Sequence, residues 1–298
     1  MIRFAFKKLD AFASGQSTGN PAAVIQLTSF DEITPDQMQR IARELKGCVC
    51  EAAFMAPIAP DAYKVRYYSS EKEVQFCGHA TIALAYNSVT SNPDLAALPH
   101  FYIHTNKGVL KVENHLADQD AVYVQAPSPF YTSQQISDEE LCAVLGLAPE
   151  SLDREIPQGT VNAGNQTLCI ALRTLEDVLR CAPDYATLLA FCQKHALDVV
   201  TIYSRQTAFR DNQLRTRVFA APFGYLEDPA TGSGNAALGY HLHRTGHWDG
   251  SPLRIEQNAS QEQPNLVRLA SMNTHAEWRV IFGGGAQLRM EGSYCLNV

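Results

Sequence analysis

No run in this 298-residue chain approaches the roughly 20 consecutive apolar residues that a membrane-spanning helix needs; the apolar stretches are short, as at Ala52–Met55 and Ile82–Tyr86. The N-terminus, Met1-Ile-Arg-Phe-Ala-Phe-Lys-Lys8, has no long apolar core followed by small residues and does not read as a secretion signal. Basic tracts are missing too. Lys and Arg number 24 against 31 Asp and Glu, a net charge of −7, and sequence-independent nucleic-acid binding needs clustered cations to displace counterions. The eight cysteines (48, 50, 77, 142, 169, 181, 192 and 295) contain no Cys-x-x-Cys, and Cys48-Val-Cys50 is too tight for a zinc knuckle. In a chain this long they read as buried, reduced thiols packing as small hydrophobes, with Cys77 set apart below. Gly-x-x-x-x-Gly-Lys-Ser/Thr and His-Glu-x-x-His are absent, as is a strand-following Gly-x-Gly-x-x-Gly with its distant acid, and Gly15-Gln-Ser-Thr-Gly19, which has the Gly-x-Ser-x-Gly spacing, runs into Asn20-Pro21 and not into a helix, so a nucleophile elbow is missing too. His241-Leu-His-Arg-Thr-Gly-His247 does not replace them, because His241 and His243 project differently from a helix. Nucleotide binding, triad hydrolysis and metal catalysis are therefore not expected, and no metal site is assigned. With 46% apolar and 18% charged residues the chain reads as a soluble, cytoplasmic globular protein with room for about two domains.

Helical and strand-like patterns alternate along it. Thr34 with Gln37 forms a capping box, Pro35 occupies the first turn, Met38, Ile41, Ala42 and Leu45 make an apolar stripe, and Gly47 is the stop. Ser137 with Glu140 opens a second helix, and Thr174 with Asp177 a third. Between them Tyr63–Tyr68, Ala121–Gln125, Arg215–Phe219 and Trp278–Phe282 alternate or are rich in β-branched and aromatic residues, the mark of strands. Pro127 and Pro129 in Ala126–Ser133 make the clearest break, dividing the chain into domains 1–126 and 127–286.

The halves resemble each other. At a constant offset of 154, Glu73 falls on Glu227, Gly78 on Gly232, Ala83 on Ala237, Leu84 on Leu238 and Tyr86 on Tyr240. Upstream, Val65-Arg-Tyr-Tyr68 parallels Thr216-Arg-Val-Phe219, and Gly19-Asn-Pro-Ala-Ala-Val-Ile25 parallels Gly164-Asn-Gln-Thr-Leu-Cys-Ile170. The reading is a duplicated unit of strand, tight glycine turn and helix.

A helix start presents unpaired N–H groups and the positive end of a dipole. Gly78-His79 and Gly232-Ser233-Gly234 therefore offer anion cradles, which pseudo-symmetry would bring to one interdomain cleft, and the implied ligand is a small carboxylate. The alternative is glycine turns that merely permit tight packing. Glu51 is the most suspicious carboxylate, since alternation sets Val49, Glu51, Ala53 and Met55 on one face. Burial would raise its pKa into the range useful for accepting and donating a proton; at an edge it would simply face water. Asp228 reads either as a capping or dipole partner or as a substrate anchor. His79 is the natural partner of a carboxylate, and Ser233 stands at its equivalent position. Gly283-Gly-Gly-Ala286 marks a bend or a close backbone approach.

Taken in order, Asp10-Ala-Phe12, Gly19-Asn-Pro-Ala-Ala-Val24, Glu51-Ala-Ala-Phe54, Val74-Gln-Phe-Cys-Gly-His-Ala-Thr81, Glu227-Asp-Pro-Ala-Thr-Gly-Ser-Gly234 and Gly283-Gly-Gly-Ala286 resemble the PhzF-like proteins of phenazine biosynthesis, within the diaminopimelate epimerase fold. The resemblance implies an α+β fold of two pseudo-symmetric domains, each a curved, barrel-like sheet around a central helix, with residues 287–298 returning to the first. It also implies a homodimer, no metal or organic cofactor, and isomerisation of a hydroxylated cyclic amino acid by moving a proton between carbons. By the family's motifs the catalytic acid/base falls on Glu51, its supporting His on His79, its Asp on Asp228 and its Ser on Ser233; the expected catalytic set is Glu51, His79 and Asp228, and Gly78, Gly232, Ser233, Cys77 and Thr231 are the expected substrate-binding positions, with Cys77 either a leftover or an auxiliary thiol. The chain departs from the family where Cys50 and Ala52, rather than Ser and Thr, flank Glu51. The related racemases use a thiol from each half, whereas here Cys77 is matched by Thr231, whose hydroxyl is too weak an acid for two-thiol racemisation. The expectation is a cofactor-independent isomerase of a small carboxylic acid; the rival is a non-catalytic carboxylate-binding or regulatory protein that retains the cleft.

Overall fold

Strands β1 (Ile2–Ala11) and β2 (Asn20–Gln26) lead into α1 (Pro35–Glu44), followed by β3 (Glu51–Ala59), β4 (Ala62–Ser69), the two-residue β5 (Glu73–Val74) and α2 (Gly78–Ser91). Next come α3 (Pro93–Ala96), β6 (His100–Thr105), β7 (Gly108–His115), α4 (Leu116–Gln119) and β8 (Ala121–Gln125). The chain continues through β9 (Phe130–Thr132), α5 (Asp138–Leu145), β10 (Gly159–Asn162), β11 (Gln166–Ala171), α6 (Leu175–Arg180), α7 (Tyr185–Lys194), β12 (Val199–Ser204) and β13 (Leu214–Phe219). It ends with β14 (Glu227–Asp228), α8 (Gly232–Arg244), β15 (Leu253–Gln257), β16 (Asn265–Asn273), β17 (Trp278–Gly284) and β18 (Ala286–Leu296). This computed structural model describes residues 1–132, 134, 136–273 and 277–297. Ser133, at the end of the expected break, and Val298, at the end of the 287–298 segment, lie outside the described residues. Among the described residues no helix is long and apolar enough to cross a membrane.

The chain divides into two units, one running from Met1 to Gln125 with the segment from Gly283 onward, the other from Ala126 to Phe282. In the first, β18 pairs antiparallel with β1, from Ile2 against Leu296 to Ala11 against Ala286. The sheet continues β1–β2–β3–β4–β6–β7–β8, antiparallel except for the parallel pairs β2/β3 and β4/β6. α2 packs on β1, β2, β3, β8 and β18, strands from both ends of that order, so the sheet must curve around it. A helix enclosed this way has to be apolar all round, and Ala80–Ala85 and Asn87–Val89 are buried. The opposite face of β1–β4 is covered by α1, where Met38, Ile41 and Ala42 join Phe4, Ile25, Ala52, Phe54 and Tyr68 in one cluster.

The second unit repeats the plan as β9–β10–β11–β12–β13–β15–β16, with β11/β12 and β13/β15 parallel at the same two places. Its central helix, α8, packs on β10, β11, β12 and β16. The repeat extends to detail. Thr231 and Cys77 precede their helices with nearly the same backbone, φ −127°, ψ 113° and φ −134°, ψ 113°. Arg66 pairs with Glu73 at 2.7 Å, and Arg217 with Glu227 at 2.8 Å. The α+β architecture expected from the sequence is the one found.

The expected caps are present. Thr34 and Gln37 form the capping box of α1, and Ser137 and Thr174 accept from the amides of Glu140 and Asp177, each such cap contributing on the order of 1 kcal/mol. Other details differ. α1 stops at Glu44, with Gly47 (φ +89°) in the turn beyond, and Leu45 is only half-buried. Val49 does not share a face with Glu51: β3 begins at Glu51, so alternation does not reach back, and Val49 joins the α1 cluster. All eight cysteines are free, but only Cys77, Cys142, Cys169, Cys181 and Cys192 are buried; Cys48 is intermediate, and Cys50 and Cys295 are exposed, in a loop and on the outer strand β18. His241 is buried and donates to the Pro157 carbonyl at 2.9 Å, while His243 stacks on Trp278 with ring centroids 3.7 Å apart. Both are structural.

Gly283 marks a close approach, since a Cβ there would lie 2.2 Å from the Val122 carbonyl oxygen, whereas Gly292 on β18 has open space. Overpacking costs about 1–3 kcal/mol. Gly283→Ala should lower the free energy of unfolding by that amount in denaturant titrations, with Gly292→Ala within about 0.5 kcal/mol of the parent.

Candidate active site

Glu51 is the first residue of β3, opposite Ala22 of β2 and Ser69 of β4. Ala52, Phe54 and Ala56 point into the α1 cluster, so alternation turns Glu51 to the α2 side of the sheet. There its Oε2 lies 3.2 Å from Nε2 of His79, in the first turn of α2, with only 21% and 12% of the two side chains exposed. Among the described residues no hydrogen bond is directed at that oxygen. Burial with so little polar support penalises the anion, and the Glu51 carboxyl is pushed up to about 7. The buried alternative of the two sequence readings is the one found.

Cys77 holds the N-cap position of α2 without a side-chain cap, and its Sγ is 3.5 Å from Nδ1 of His79. Thr81 secures this turn by donating to the Cys77 carbonyl at 2.6 Å, with the Tyr67 hydroxyl 2.6 Å from its own. One donor atom each of Glu51, Cys77 and His79 lies within 4.8 Å of the others. An oxygen, a sulfur and a nitrogen are three of the four ligands that zinc takes, and no fourth joins this group among the described residues.

In the second unit Asp228 is buried at the end of β14 and accepts a short hydrogen bond from the Thr231 hydroxyl. Asp228 is thus not the cap of α8; it holds the residue that occupies the cap position. Buried Gln257 clamps this turn, accepting from the Thr231 amide at 2.9 Å and donating to the Asp228 carbonyl at 2.8 Å. Asn235 donates to the Thr231 carbonyl at 2.8 Å, as Thr81 does to Cys77. Ser233 Oγ accepts from Asn165 at 3.3 Å. Gly232 answers to packing, since a Cβ there would lie 2.3 Å from the Phe282 ring.

Thr81, Asn165, Asn235 and Gln257 escaped the sequence reading. The repeated Gly19-Asn20 and Gly164-Asn165 was the available signal for Asn165; nothing local pointed to Gln257, which arrives from β15. The strand registers also show which residue replaces Glu51 in the repeat. Glu51 stands against Ala22, and Val199 against Thr167, the counterpart of Ala22. The acid therefore occurs in one unit only.

Two duplicated units, each a curved sheet around a helix entered through a glycine turn, define the diaminopimelate-epimerase-like class of fold. Within it, the phenazine biosynthesis-like protein family (PhzC-PhzF) matches residues 9–292. The chain belongs to that family, and with it to the isomerases. It is 28% identical over 265 residues to an uncharacterized isomerase of Clostridium acetobutylicum, covering 86% of this chain and 85% of the relative. It is also 28% identical over 264 residues to the trans-2,3-dihydro-3-hydroxyanthranilate isomerase of Pseudomonas fluorescens, covering 87% of each. A PhzF-family crystal structure from Bacillus anthracis matches the fold with a TM-score of 0.86 at 22% identity, covering 99% of this chain and 100% of that one.

A carboxyl near 7 when folded and near 4.5 when unfolded favours the folded state most at low pH; that stability is lost as pH rises through about 7. Glu51→Gln lacks this dependence. Its stability relative to the parent should increase by up to roughly 3 kcal/mol between pH 4.5 and pH 8, as read by urea unfolding at each pH. A flat difference would mean that Glu51 titrates normally.

Proposed function

We propose that this isomerase moves a proton on a small cyclic carboxylic acid without a cofactor, using Glu51 as the acid/base. The observation that carries the reading is Glu51 itself, a buried carboxyl beside His79 at the first turn of α2. A group that titrates near neutrality is suited both to take a proton from carbon and to give it back. His79 orients Glu51 and favours its anion whenever the imidazole is charged. The amides that open α2, beginning at Gly78, provide a positive pole for a substrate carboxylate, with Cys77 beside it. In the second unit the amide of Gly232 opens the equivalent helix start, and we assign it, with Asp228, Thr231 and Ser233, to anion recognition there. A relative's name supplies a candidate of the right kind, trans-2,3-dihydro-3-hydroxyanthranilate, a hydroxylated ring carboxylate. The burial of Glu51 and His79 strengthens the charge interactions on such a ring.

The test is exchange. Incubated with that compound in D2O, the parent protein should place deuterium on a ring carbon, and Glu51→Gln should reduce the rate by about 100-fold or more. Full exchange by Glu51→Gln would remove Glu51 from the chemistry. Thermal stabilisation by the compound without any exchange would favour a binding protein over an enzyme.

A further inference from the structure

We propose that Glu51, Cys77 and His79 form a binding site for zinc, and that zinc held there switches the enzyme off. The site is argued from geometry alone; the switching rests on the reading of Glu51 as the acid/base. Zinc takes thiolate sulfur at about 2.3 Å and imidazole nitrogen or carboxylate oxygen at about 2.1 Å, in a tetrahedron. Those lengths fix the spacing of the ligand atoms themselves, about 3.4 Å from nitrogen to oxygen and about 3.6 Å from sulfur to either. Nε2 of His79 lies 3.2 Å from Oε2 of Glu51 and 3.9 Å from Sγ of Cys77. Both edges are within about 0.3 Å of the tetrahedral values. The third, from sulfur to oxygen, is no longer than 4.8 Å, which a rotation of the Glu51 side chain can close.

The backbone that carries these donors is already fixed. Glu51 is held in register between β2 and β4, and Thr81 donates to the Cys77 carbonyl at 2.6 Å with the Tyr67 hydroxyl 2.6 Å behind it. A site assembled before its ligand arrives loses little freedom on binding. Glu51 and His79 both keep some exposure, which leaves the cation a way in. The donor set also selects the metal: magnesium and calcium take oxygen ligands, whereas sulfur and imidazole suit zinc. Among the described residues this is the one group of three such donors. The second unit carries Val199, Thr231 and Ser233 at the equivalent places, so the duplication does not repeat it.

Binding exchanges protons for metal. The Cys77 thiol gives its proton to water as sulfur bonds to zinc, a protonated Glu51 does the same, and His79 binds through neutral Nε2. No electron is transferred. With three protein ligands the fourth position stays open to water or to a carboxylate. An oxygen lone pair committed to zinc cannot take a proton from carbon, so metal binding and proton transfer exclude each other.

The experiment uses the full chain, stripped with EDTA and dialysed, with Co2+ as a spectroscopic probe and Zn2+ as its competitor. One equivalent of Co2+ should give a sulfur-to-cobalt charge-transfer band in the near ultraviolet and the strong visible bands of tetrahedral cobalt, and Zn2+ should displace both. Cys77→Thr installs the residue that the second unit carries with nearly the same backbone angles; it and His79→Gln should each weaken Zn2+ at least about 100-fold in equilibrium dialysis. Cys50→Ser and Cys295→Ser, which remove exposed thiols, should bind as the parent does. One equivalent of Zn2+ should stop deuterium exchange into trans-2,3-dihydro-3-hydroxyanthranilate, and EDTA should restore it. A cobalt spectrum without the sulfur band, or binding lost in Cys50→Ser or Cys295→Ser, would overturn the site. Exchange that persists with zinc bound would overturn the switch while leaving Glu51 as the acid/base, and exchange that requires zinc would make the metal a cofactor and overturn both readings. If the metal-free and zinc-bound proteins both fail to exchange the probe, the Glu51 reading falls and takes the switch with it, while the cobalt spectrum still decides the site.

Discussion

A carboxyl group that must give up water is the constraint around which the first unit is organised. Glu51 reaches the α2 side of the sheet only because β3 begins at that residue and pairs in register with β2 and β4. A slip of one residue would exchange Glu51 with Ala52 and drive the charge among Phe54, Met38 and Ile41. The apolar cluster under α1 thus does more than stabilise the sheet. It makes the wrong register far too costly, and so sets which face the acid occupies. The penalty that remains is expressed as a carboxyl that holds its proton to about neutral pH.

Duplication built the scaffold, and the two units differ at the starts of their central helices. The features that brace each unit internally are kept in both: the paired arginine and glutamate on neighbouring strands, the parallel strand pairs at matching places, and the side chain that bonds back to the N-cap carbonyl. The titratable groups gathered at the start of α2 are not kept. Val199, Thr231 and Ser233 occupy the places of Glu51, Cys77 and His79. Reactive side chains can diverge in this way because architecture depends on backbone pairing and packed volume, which valine for glutamate or threonine for cysteine leaves largely intact.

The legible parts of the fold were those decided by neighbours in the chain. Thr34, Ser137 and Thr174 cap their helices through residues three positions on, and the glycine turns at Gly78 and Gly232 open helices because no more than a few residues are involved. The readings that failed needed distant information. Val49 was placed with Glu51 by extending alternation beyond the true start of β3. The exposure of Cys50 and Cys295 depends on a loop and an outer strand whose surroundings are assembled from remote segments. Gln257 belongs to the Asp228–Thr231 turn only because β15 pairs with β13.

Taken alone, the order of residues determined the local elements, the internal repeat and the short set of candidates that includes Glu51, Cys77 and His79. Periodicity and capping are properties of adjacent residues, and a repeat is a property of the string. Only the tertiary structure decided that the carboxyl of residue 51 lies against the imidazole of residue 79, away from water, and that its counterpart in the second unit is a valine. Those facts depend on strand register and on which helix covers which face, and register is settled by the burial of many distant side chains at once.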